Sequence, residues 1–451
     1  MKKTALLLAA IVTMYVAMAQ DSTARKLDEI VTAYANLGRF NGSVLVARKG
    51  DILLQKGYGI RNDSTGTMND VNTQFQVASV TKQFTATVVL KLVEMKKMRL
   101  NDKLSKYYRG FPYGDSITIW NLLTHTSGMR NFTEEDTGIQ KTDEQHMVPY
   151  LKTLKPDFAP GKDWHYSNSG YVMLAYIIQK VTGISYFQAV RKYIFIPLHM
   201  NSSGFDFTRL ANDEKAIGYD ELNDTVHYRA HIADSSVTLG AGSIYSTVMD
   251  MYKWHRGLQV YNIIGKALTE QAYTACPQHN YGFGWQIDSV YGRKMVSHSG
   301  AISGFGSNFA RIPADDVCIV ILSNKGGSTF DAMHITDKLL AVLYNQPYTV
   351  PVKRKPVPVS EEILKRYTGT YEVAEMHLVV DVTINDGRLI AQPSRDGHPG
   401  PTAVLVGENN RRFYIEADEE AETEFDVDDT GKVKGLTIFQ NGTTKYAVKT
   451  K

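Results

Sequence analysis

Three short patterns, spaced along the chain, carry side chains that are typical of acyl transfer. Ser79-Val80-Thr81-Lys82 places a hydroxyl and an amine one helical turn apart. Tyr166-Ser167-Asn168 brings a phenol and a carboxamide, and His298-Ser299-Gly300 brings a strand edge with a glycine. Together they supply a nucleophile, two candidate bases, an amide clamp and an oxyanion site. The chemistry that they predict is acyl transfer through a serine ester.

The first pattern lies at the predicted start of a helix. The buried stripe of that helix is predicted to consist of Val80, Phe84, Val88, Leu92 and Met95. The amine of Lys82 lies on the same face as the Ser79 hydroxyl, and the positive end of the helix dipole favours an alkoxide there. Burial lowers the pKa of such a lysine toward a form that accepts the serine proton. The alternative is that Ser79 only caps the helix and that Lys82 is solvated.

The second pattern lies in a short loop before a helix predicted from Gly170 to Val181. In the functional interpretation, Tyr166 reaches the serine and relays a proton, while Asn168 binds an amide of the substrate. In the alternative interpretation, Ser167 or Asn168 only caps the helix. The pattern by itself leaves both open.

The third pattern is predicted to end a strand. Gly300 lets another backbone segment come close, and the N–H of Ala301 is expected to pair with that of Ser79 as an oxyanion hole. The alternative for His298 is an ordinary surface histidine. The occurrence of all three patterns in one order favours the functional interpretation of each.

The patterns resemble those of the serine β-lactamase and penicillin-binding-protein superfamily, in its class C, DD-peptidase and esterase branch. The resemblance covers residues 27–343 and includes four further segments: Phe75-Gln76-Val77-Ala78-Ser79, Ile119 to Gly128, Ala241-Gly242-Ser243-Ile244-Tyr245-Ser246 and Tyr281-Gly282-Phe283-Gly284-Trp285. It implies that Ser79 is the nucleophile and that Lys82 and Tyr166 carry protons. The residues expected to bind substrate are Asn168, His298, Ser299 and Gly300. His125 and Trp120 are interpreted as structural.

The chain departs from the β-lactamases of this branch at His298, where they resemble one another in having lysine. DD-peptidases, D-amino-acid peptidases and esterases of the branch often carry histidine there. An unperturbed histidine loses its charge near pH 6.5, so we expect the binding of substrate carboxylates to weaken as the pH rises. The predicted substrate is a small ester or a D-amino-acid peptide. The alternatives are a β-lactamase and a non-hydrolytic penicillin-binding receptor.

The composition is that of an ordinary globular protein, with 43% hydrophobic and 22% charged residues in 451. The formal net charge is +3, and it falls to +1 without Lys2 and Lys3, which gives no electrostatic case for nucleic acid or an acidic membrane. Cys276 and Cys318 lack metal-ligand spacing, so we expect neither a metal nor another cofactor. Whether they pair is left open, although the apolar run around Cys318 favours a buried free thiol.

The N-terminus predicts a secretory signal. Lys2 and Lys3 precede an apolar run from Ala5 to Val16, and Ala17-Met18-Ala19 matches the small-x-small cleavage pattern. We therefore expect residues 1–19 to be a signal peptide of a secreted, periplasmic protein. A retained membrane anchor is the alternative, and the oligomeric state is not predicted.

The remaining chain is predicted to contain two domains. Strand-like runs at both ends of residues 20–345 predict one antiparallel sheet flanked by helices, with a helical subdomain, and the resemblance implies an α/β (α+β) β-lactamase-like fold. Residues 346–360 hold four prolines and are predicted to be an extended linker. Alternating runs and hairpin turns in residues 361–451 predict a small all-β barrel or sandwich. Its acidic stretch, residues 416–429, is interpreted as a solvated hairpin face.

Overall fold

The computed structural model describes residues 22–451 except 136, 212, 224, 396, 441 and 442. The predicted signal peptide, residues 1–19, lies outside the described residues. Contacts divide the chain into two units, Met1–Val350 and Pro351–Lys451. A search of the described residues finds no helix that is long and apolar enough to cross a membrane.

The N-terminal unit contains twelve strands among its described residues. They are β1 Gly42–Arg48, β2 Asp51–Tyr58, β3 Ile60–Asn62, β4 Thr67–Met68, β5 Phe75–Gln76, β6 Tyr219–Leu222, β7 His227–Arg229, β8 Tyr245–Ser246, β9 Gln286–Val290, β10 Arg293–Ile302, β11 Phe305–Ile312 and β12 Val317–Ser323. Six of them form one antiparallel sheet in the order β2-β1-β12-β11-β10-β9. The prediction that both ends of the sequence build one sheet is thereby confirmed.

Helices flank this sheet. They are α1 over residues 22–36, followed by α2 Thr81–Glu94, α3 Ile119–Leu123, α4 Glu144–Thr153, α5 Asn168–Thr182, α6 Tyr186–Val190, α7 Ser235–Gly242, α8 Val248–Gln259, α9 Lys266–Ala272 and α10 Thr329–Leu343. Side chains alternate between the two faces of a strand. In β1, Val44 and Val46 accordingly pack in a core with α1 and α10, whereas Leu45 and Ala47 pack in a second core with α2 and the other middle helices.

The buried stripe of α2 is confirmed at four of its five predicted positions. Val80, Phe84, Val88 and Leu92 are fully buried. The prediction that Met95 is buried is wrong, because α2 ends at Glu94 and Met95, which follows the last turn, is 40% exposed. Phe84 stacks on Trp254 of α8 with ring centroids 4.5 Å apart, which joins α2 to the helix that lies against the sheet.

Both cysteines of the N-terminal unit are free and buried. Cys318 lies in β12 and is fully buried between apolar neighbours. The interpretation of this residue as a small hydrophobe in the sheet is confirmed.

The C-terminal unit is a closed barrel. Its elements are α11 Glu361–Tyr367, β13 Gly369–Val373, β14 Leu378–Asn385, β15 Arg388–Arg395, β16 His398–Pro399, β17 Ala403–Gly407, β18 Arg412–Ile415, β19 Asp418–Val427, β20 Val433–Gln440 and β21 Thr443–Lys449. The strands follow the order β14-β13-β21-β20-β19-β18-β17-β15, and β15 pairs again with β14, so eight antiparallel strands close. Of the two predicted architectures, the barrel is therefore confirmed.

Residues 351–360, in the Pro-rich stretch, pack on this barrel. The N–H of Val357 donates to the carbonyl of Gly407 over 2.7 Å. The guanidinium of Arg354 forms ion pairs with Glu408 and Glu422. Glu422 belongs to the acidic stretch, so part of that stretch forms ion pairs within the unit.

The buried Phe84 and the exposed Met95 give a stability prediction. Phe84→Ala leaves a cavity in a closed core, and we expect it to lower the free energy of unfolding by about 3–5 kcal/mol. Met95→Ala, at the exposed position, is the matched control and is expected to change it by at most about 0.5 kcal/mol. Urea unfolding of the full chain, followed by tryptophan fluorescence, measures both. Equal losses for the two variants would contradict the assignment of Met95 to the surface.

Candidate active site

Ser79 lies in a tight turn between strand and helix. β5 leads into a 3₁₀ turn, Ala78–Val80, which continues directly into α2. Ala78 has φ 46°, a left-handed conformation that is uncommon for a residue with a side chain. The side chain of Ser79 caps neither the turn nor α2. The capping alternative is therefore excluded, and the hydroxyl is left for chemistry.

Lys82 is fully buried beside this hydroxyl, which excludes the solvated alternative. Its Nζ lies 3.1 Å from Oγ of Ser79, 2.7 Å from Oδ1 of Asn168 and 2.8 Å from the carbonyl oxygen of Ala241. The three acceptors come from the turn before α2, from α5 and from α7. The amine is thus held at the meeting point of three elements.

Burial keeps the pKa of Lys82 well below its usual range. A neutral amine has two N–H donors and one lone pair. The two shortest contacts, to Asn168 and Ala241, are to oxygens that only accept, so they use both donors. The lone pair then remains for the hydroxyl proton of Ser79, which is the arrangement that a general base requires.

Tyr166 lies on the other side of the lysine. Its ring centroid is 4.7 Å from Nζ of Lys82. Burial raises the pKa of Tyr166, and a hydrogen bond with Ser79 opposes the rise only in part. The phenol is therefore protonated at neutral pH. Of the two candidate bases, these opposite pKa shifts favour Lys82 as the base and Tyr166 as the proton donor.

Asn168 opens α5, two residues earlier than predicted. Ser167 is the N-cap and accepts from the N–H of Gly170, so the capping interpretation is correct for this residue. The carboxamide of Asn168 is not used in capping. Its Oδ1 accepts from Lys82 and its Nδ2 donates to Oγ1 of Thr133 over 2.9 Å.

Strand β10 continues past the third pattern to Ile302, so the prediction that the strand ends there is wrong. A Cβ added at Gly300 would lie 2.5 Å from the carbonyl oxygen of Val77, which confirms the close approach expected of this glycine. β9 pairs only with residues 293–297 of β10. Beyond Ser297, the edge of β10 faces the turn that carries the nucleophile. The oxyanion hole of Ser79 and Ala301 stays a prediction that this arrangement favours.

The ring of His298 does not behave as an ordinary histidine. His298 is only 3% exposed. Nδ1 lies 2.6 Å from the carbonyl oxygen of Ser299, which only accepts, so Nδ1 carries the proton and Nε2 accepts from the hydroxyl of Tyr281 over 2.9 Å. Burial is the main cause that lowers the pKa of His298 to about 3, and a proton on Lys82 would act in the same direction. The expected loss of charge near pH 6.5 is therefore wrong, because the imidazole is already neutral.

Three groups of the site were missed or left without a role by sequence reasoning. The Ala241 carbonyl lies in a segment that carries the family resemblance, but a backbone acceptor leaves no side-chain signal. Tyr281 lies in another such segment, and its hydroxyl donates to Nε2 of His298. His125, interpreted as structural, packs against Tyr166 with ring centroids 4.4 Å apart.

Within the part of the chain that the structure describes, no cluster of three or more His, Cys, Asp or Glu is placed to hold a metal ion.

Comparisons with known proteins cover both units. A family model described as Beta-lactamase matches residues 24–343. A second, described as a domain of unknown function (DUF3471), matches residues 353–449. Penicillin-binding protein 4* of Bacillus subtilis (strain 168) is 30% identical over 461 residues, with 94% of this chain and 99% of that protein covered.

Solved structures show the same fold. The octameric penicillin-binding protein homologue from Pyrococcus abyssi aligns with a TM-score of 0.66 at 24% identity, covering 94% of this chain and 99% of that one. The D-amino acid amidase from Ochrobactrum anthropi SV3, complexed with L-phenylalanine amide, aligns with a TM-score of 0.61 at 22% identity, covering 72% and 99%.

The close approach at Gly300 gives a prediction about the site. Gly300→Ala places a methyl group 2.5 Å from both the Val77 carbonyl and Oγ of Ser307. The turn that carries Ser79 must then shift, and a displacement of about 1 Å costs about 100-fold in rate. We expect a loss of this size in kcat/KM for an ester substrate. Gly170→Ala is the control, since its added Cβ meets no atom closer than 3.5 Å. Similar activities of the two variants would contradict the packing of β10 on the turn.

Proposed function

Since this chain belongs to the β-lactamase family and is a serine hydrolase, we propose a substrate and a mechanism for it. It cleaves a small ester, amide or peptide of a D-amino acid through an acyl-enzyme at Ser79. The D-amino acid part rests on the names of structural relatives, among them the D-amino acid amidase. The rest is supported by the geometry around Lys82. Two other substrates, a β-lactam and a ligand that acylates without turnover, are the alternatives.

In the proposed acylation step, Oγ of Ser79 attacks the carbonyl carbon of the substrate while its proton passes to Nζ of Lys82. The 3.1 Å separation of these atoms is within hydrogen-bonding reach. The carbonyl oxygen becomes an oxyanion, which the N–H groups of Ser79 and Ala301 are expected to stabilise. When the tetrahedral intermediate collapses, the leaving group takes a proton from the phenol of Tyr166, and Lys82 returns a proton to that phenol.

In the proposed deacylation step, water attacks the ester of Ser79. The water proton passes to the Tyr166–Lys82 pair, the acid product leaves and the serine hydroxyl is regenerated. No second carboxylate base is required, because the same pair acts in both directions. The contact of Asn168 with Lys82 places its carboxamide beside the acyl group, where Nδ2 is suited to a substrate carbonyl.

One observation distinguishes the substrate classes: the imidazole of His298 is neutral and both of its nitrogens are hydrogen-bonded within the protein. A β-lactam presents a carboxylate next to this position, and a neutral ring offers it no charge. Lys82 does not supply one either, because burial lowers its pKa and favours the uncharged amine. We therefore propose that the leaving group of the preferred substrate lacks a carboxylate, as in an ester or an amide.

The location of the protein is part of the proposal. The predicted signal peptide at residues 1–19 supports secretion to the periplasm, where peptides with D-amino acids are available to a hydrolase. The barrel unit is proposed as an accessory domain, and no ligand is assigned to it.

Loss of the nucleophile tests the mechanism. Ser79→Ala is expected to lose hydrolysis by several orders of magnitude and to lose labelling by a fluorophosphonate. The thermal unfolding temperature is expected to stay close to that of the parent, since Ser79 has no capping role. Mass spectrometry of the parent with a p-nitrophenyl ester, a D-amino-acid amide and a cephalosporin completes the test. A stable acyl adduct without turnover for all three would favour the receptor alternative.

The neutrality of His298 predicts how charge on the substrate matters. D-Phe-D-Ala and its C-terminal amide, D-Phe-D-Ala-NH₂, differ only in the carboxylate of the leaving group. We expect kcat/KM to be at least as high for the amide, and the ratio of the two KM values to stay constant from pH 5 to 8. The reason is that His298, with its pKa lowered to about 3, does not ionise in this range. A preference for the acid that fades as the pH rises would show instead that His298 binds the carboxylate in its charged form.

A further inference from the structure

The segment from Thr124 to Gly128 has no part in the mechanism, yet it is hydrogen-bonded along its length to the loop that ends at Tyr166. The carbonyl of Gly128 accepts from the N–H of Asp157 over 2.9 Å, and that of Thr126 accepts from the N–H of Gly161 over 2.7 Å. These hydrogen bonds hold the loop against the segment. The hydrogen bond nearest to the active site is made by His125.

His125 holds the chain on both sides of Tyr166. Its carbonyl oxygen accepts from the N–H of His165, and its Nδ1 accepts from the N–H of Ser167, each over 3.1 Å. Its ring also lies against the ring of Tyr166, with centroids 4.4 Å apart. The two bonds and the ring contact fix both the backbone and the side-chain plane of the tyrosine.

The cost of placing a histidine here indicates that its acceptor matters. His125 is 1% exposed and has φ 60°, a left-handed conformation. Because Nδ1 accepts, Nε2 carries the hydrogen, and Nε2 has no hydrogen-bond partner among the described residues although it is buried. An unpaired buried N–H costs about 1–3 kcal/mol. An apolar residue would avoid that cost but would leave the N–H of Ser167 without its acceptor.

The ring stays in its accepting form in this environment. Burial is the main cause that keeps the pKa of His125 well below its usual range. A proton on Lys82, His298, His165 or His279 would lower that pKa further. The other neighbours are the aromatic rings of Tyr171, Tyr281 and Trp164. The lowered pKa favours the neutral ring, in which Nδ1 is able to accept.

We propose that His125 is a positioning residue: through its Nδ1 and its ring, it holds Tyr166 where the phenol protonates the leaving group. The proposal rests on the proposed function, in which Tyr166 is the proton donor. It assigns to His125 an effect on leaving groups that need a proton, and little effect on those that do not. An amide nitrogen needs the proton to leave, whereas p-nitrophenolate leaves without one.

The experiment compares D-phenylalanine amide with D-phenylalanine p-nitrophenyl ester in the full chain. His125→Gly and His125→Asn form the matched pair, since both tolerate φ 60° and both lose the ring, but only asparagine keeps an acceptor near the place of Nδ1. We expect His125→Gly to lower kcat/KM for the amide by about 100-fold, the size of a general-acid contribution, and for the ester by much less. His125→Asn is expected to restore most of the amide activity.

A double variant tests whether the effect passes through Tyr166. Tyr166→Phe combined with His125→Gly is expected to be no worse on the amide than Tyr166→Phe alone. Equal losses on amide and ester, or independent losses in the double variant, would overturn the proposal and leave His125 a purely structural residue. If His125→Gly does not fold, as judged by thermal unfolding, His125→Gln replaces it, because its acceptor lies beyond the place of Nδ1. Failure of the proposed function is distinct, since the parent protein would then hydrolyse neither substrate.

Discussion

Burying the amine of Lys82 removes it from water, and the amine must then find its hydrogen-bond partners within the chain. Those partners are Ser79 in the turn before α2, Asn168 at the start of α5 and Ala241 near the end of α7. These three elements are far apart in the sequence, so the contacts of Nζ of Lys82 fix their relative placement. The same desolvation that imposes this geometry lowers the pKa of the amine, so that its lone pair becomes available to accept the proton of Ser79. Structure and chemistry at this site thus have a single physical cause.

Backbone strain collects around that amine. Ala78, His125 and Leu239 have φ values of 46°, 60° and 32°, in a region that residues with a Cβ rarely adopt. Each such conformation costs on the order of 1–3 kcal/mol. The strain at Ala78 turns the chain from β5 into α2, and the strain at Leu239 interrupts α7 just before the carbonyls that accept from Thr85 and Lys82. The apolar cores on both faces of the sheet supply the stability that holds these conformations in place.

The sequence was most informative where local pattern and chemistry coincide. The strand-like runs that form β1 and β12, the stripe of α2 and the turn at Asp386-Gly387, with φ of 49° and 72°, are all set by neighbours in the chain. The nucleophile and its lysine share one helical turn, so their spacing predicted that they lie on the same face of the helix. The features that sequence reasoning missed depend on distant segments. The neutrality of His298 requires burial and the hydrogen bond with Tyr281. The hydrogen bond of His125 with the Tyr166 loop joins residues some forty positions apart. A pattern of neighbouring residues cannot predict contacts between segments that are distant in the sequence.

The closure of the C-terminal barrel has a consequence for synthesis and truncation. β21 pairs with β20 on one side and with β13 on the other, so this strand completes the ring. Until Thr443–Lys449 has emerged from the ribosome, β13 and β20 each expose an edge, and exposed edges recruit strands from other chains. A polypeptide that lacks β21 is therefore the aggregation-prone species, and the pairing of β21 with both neighbours is the event that covers the two edges.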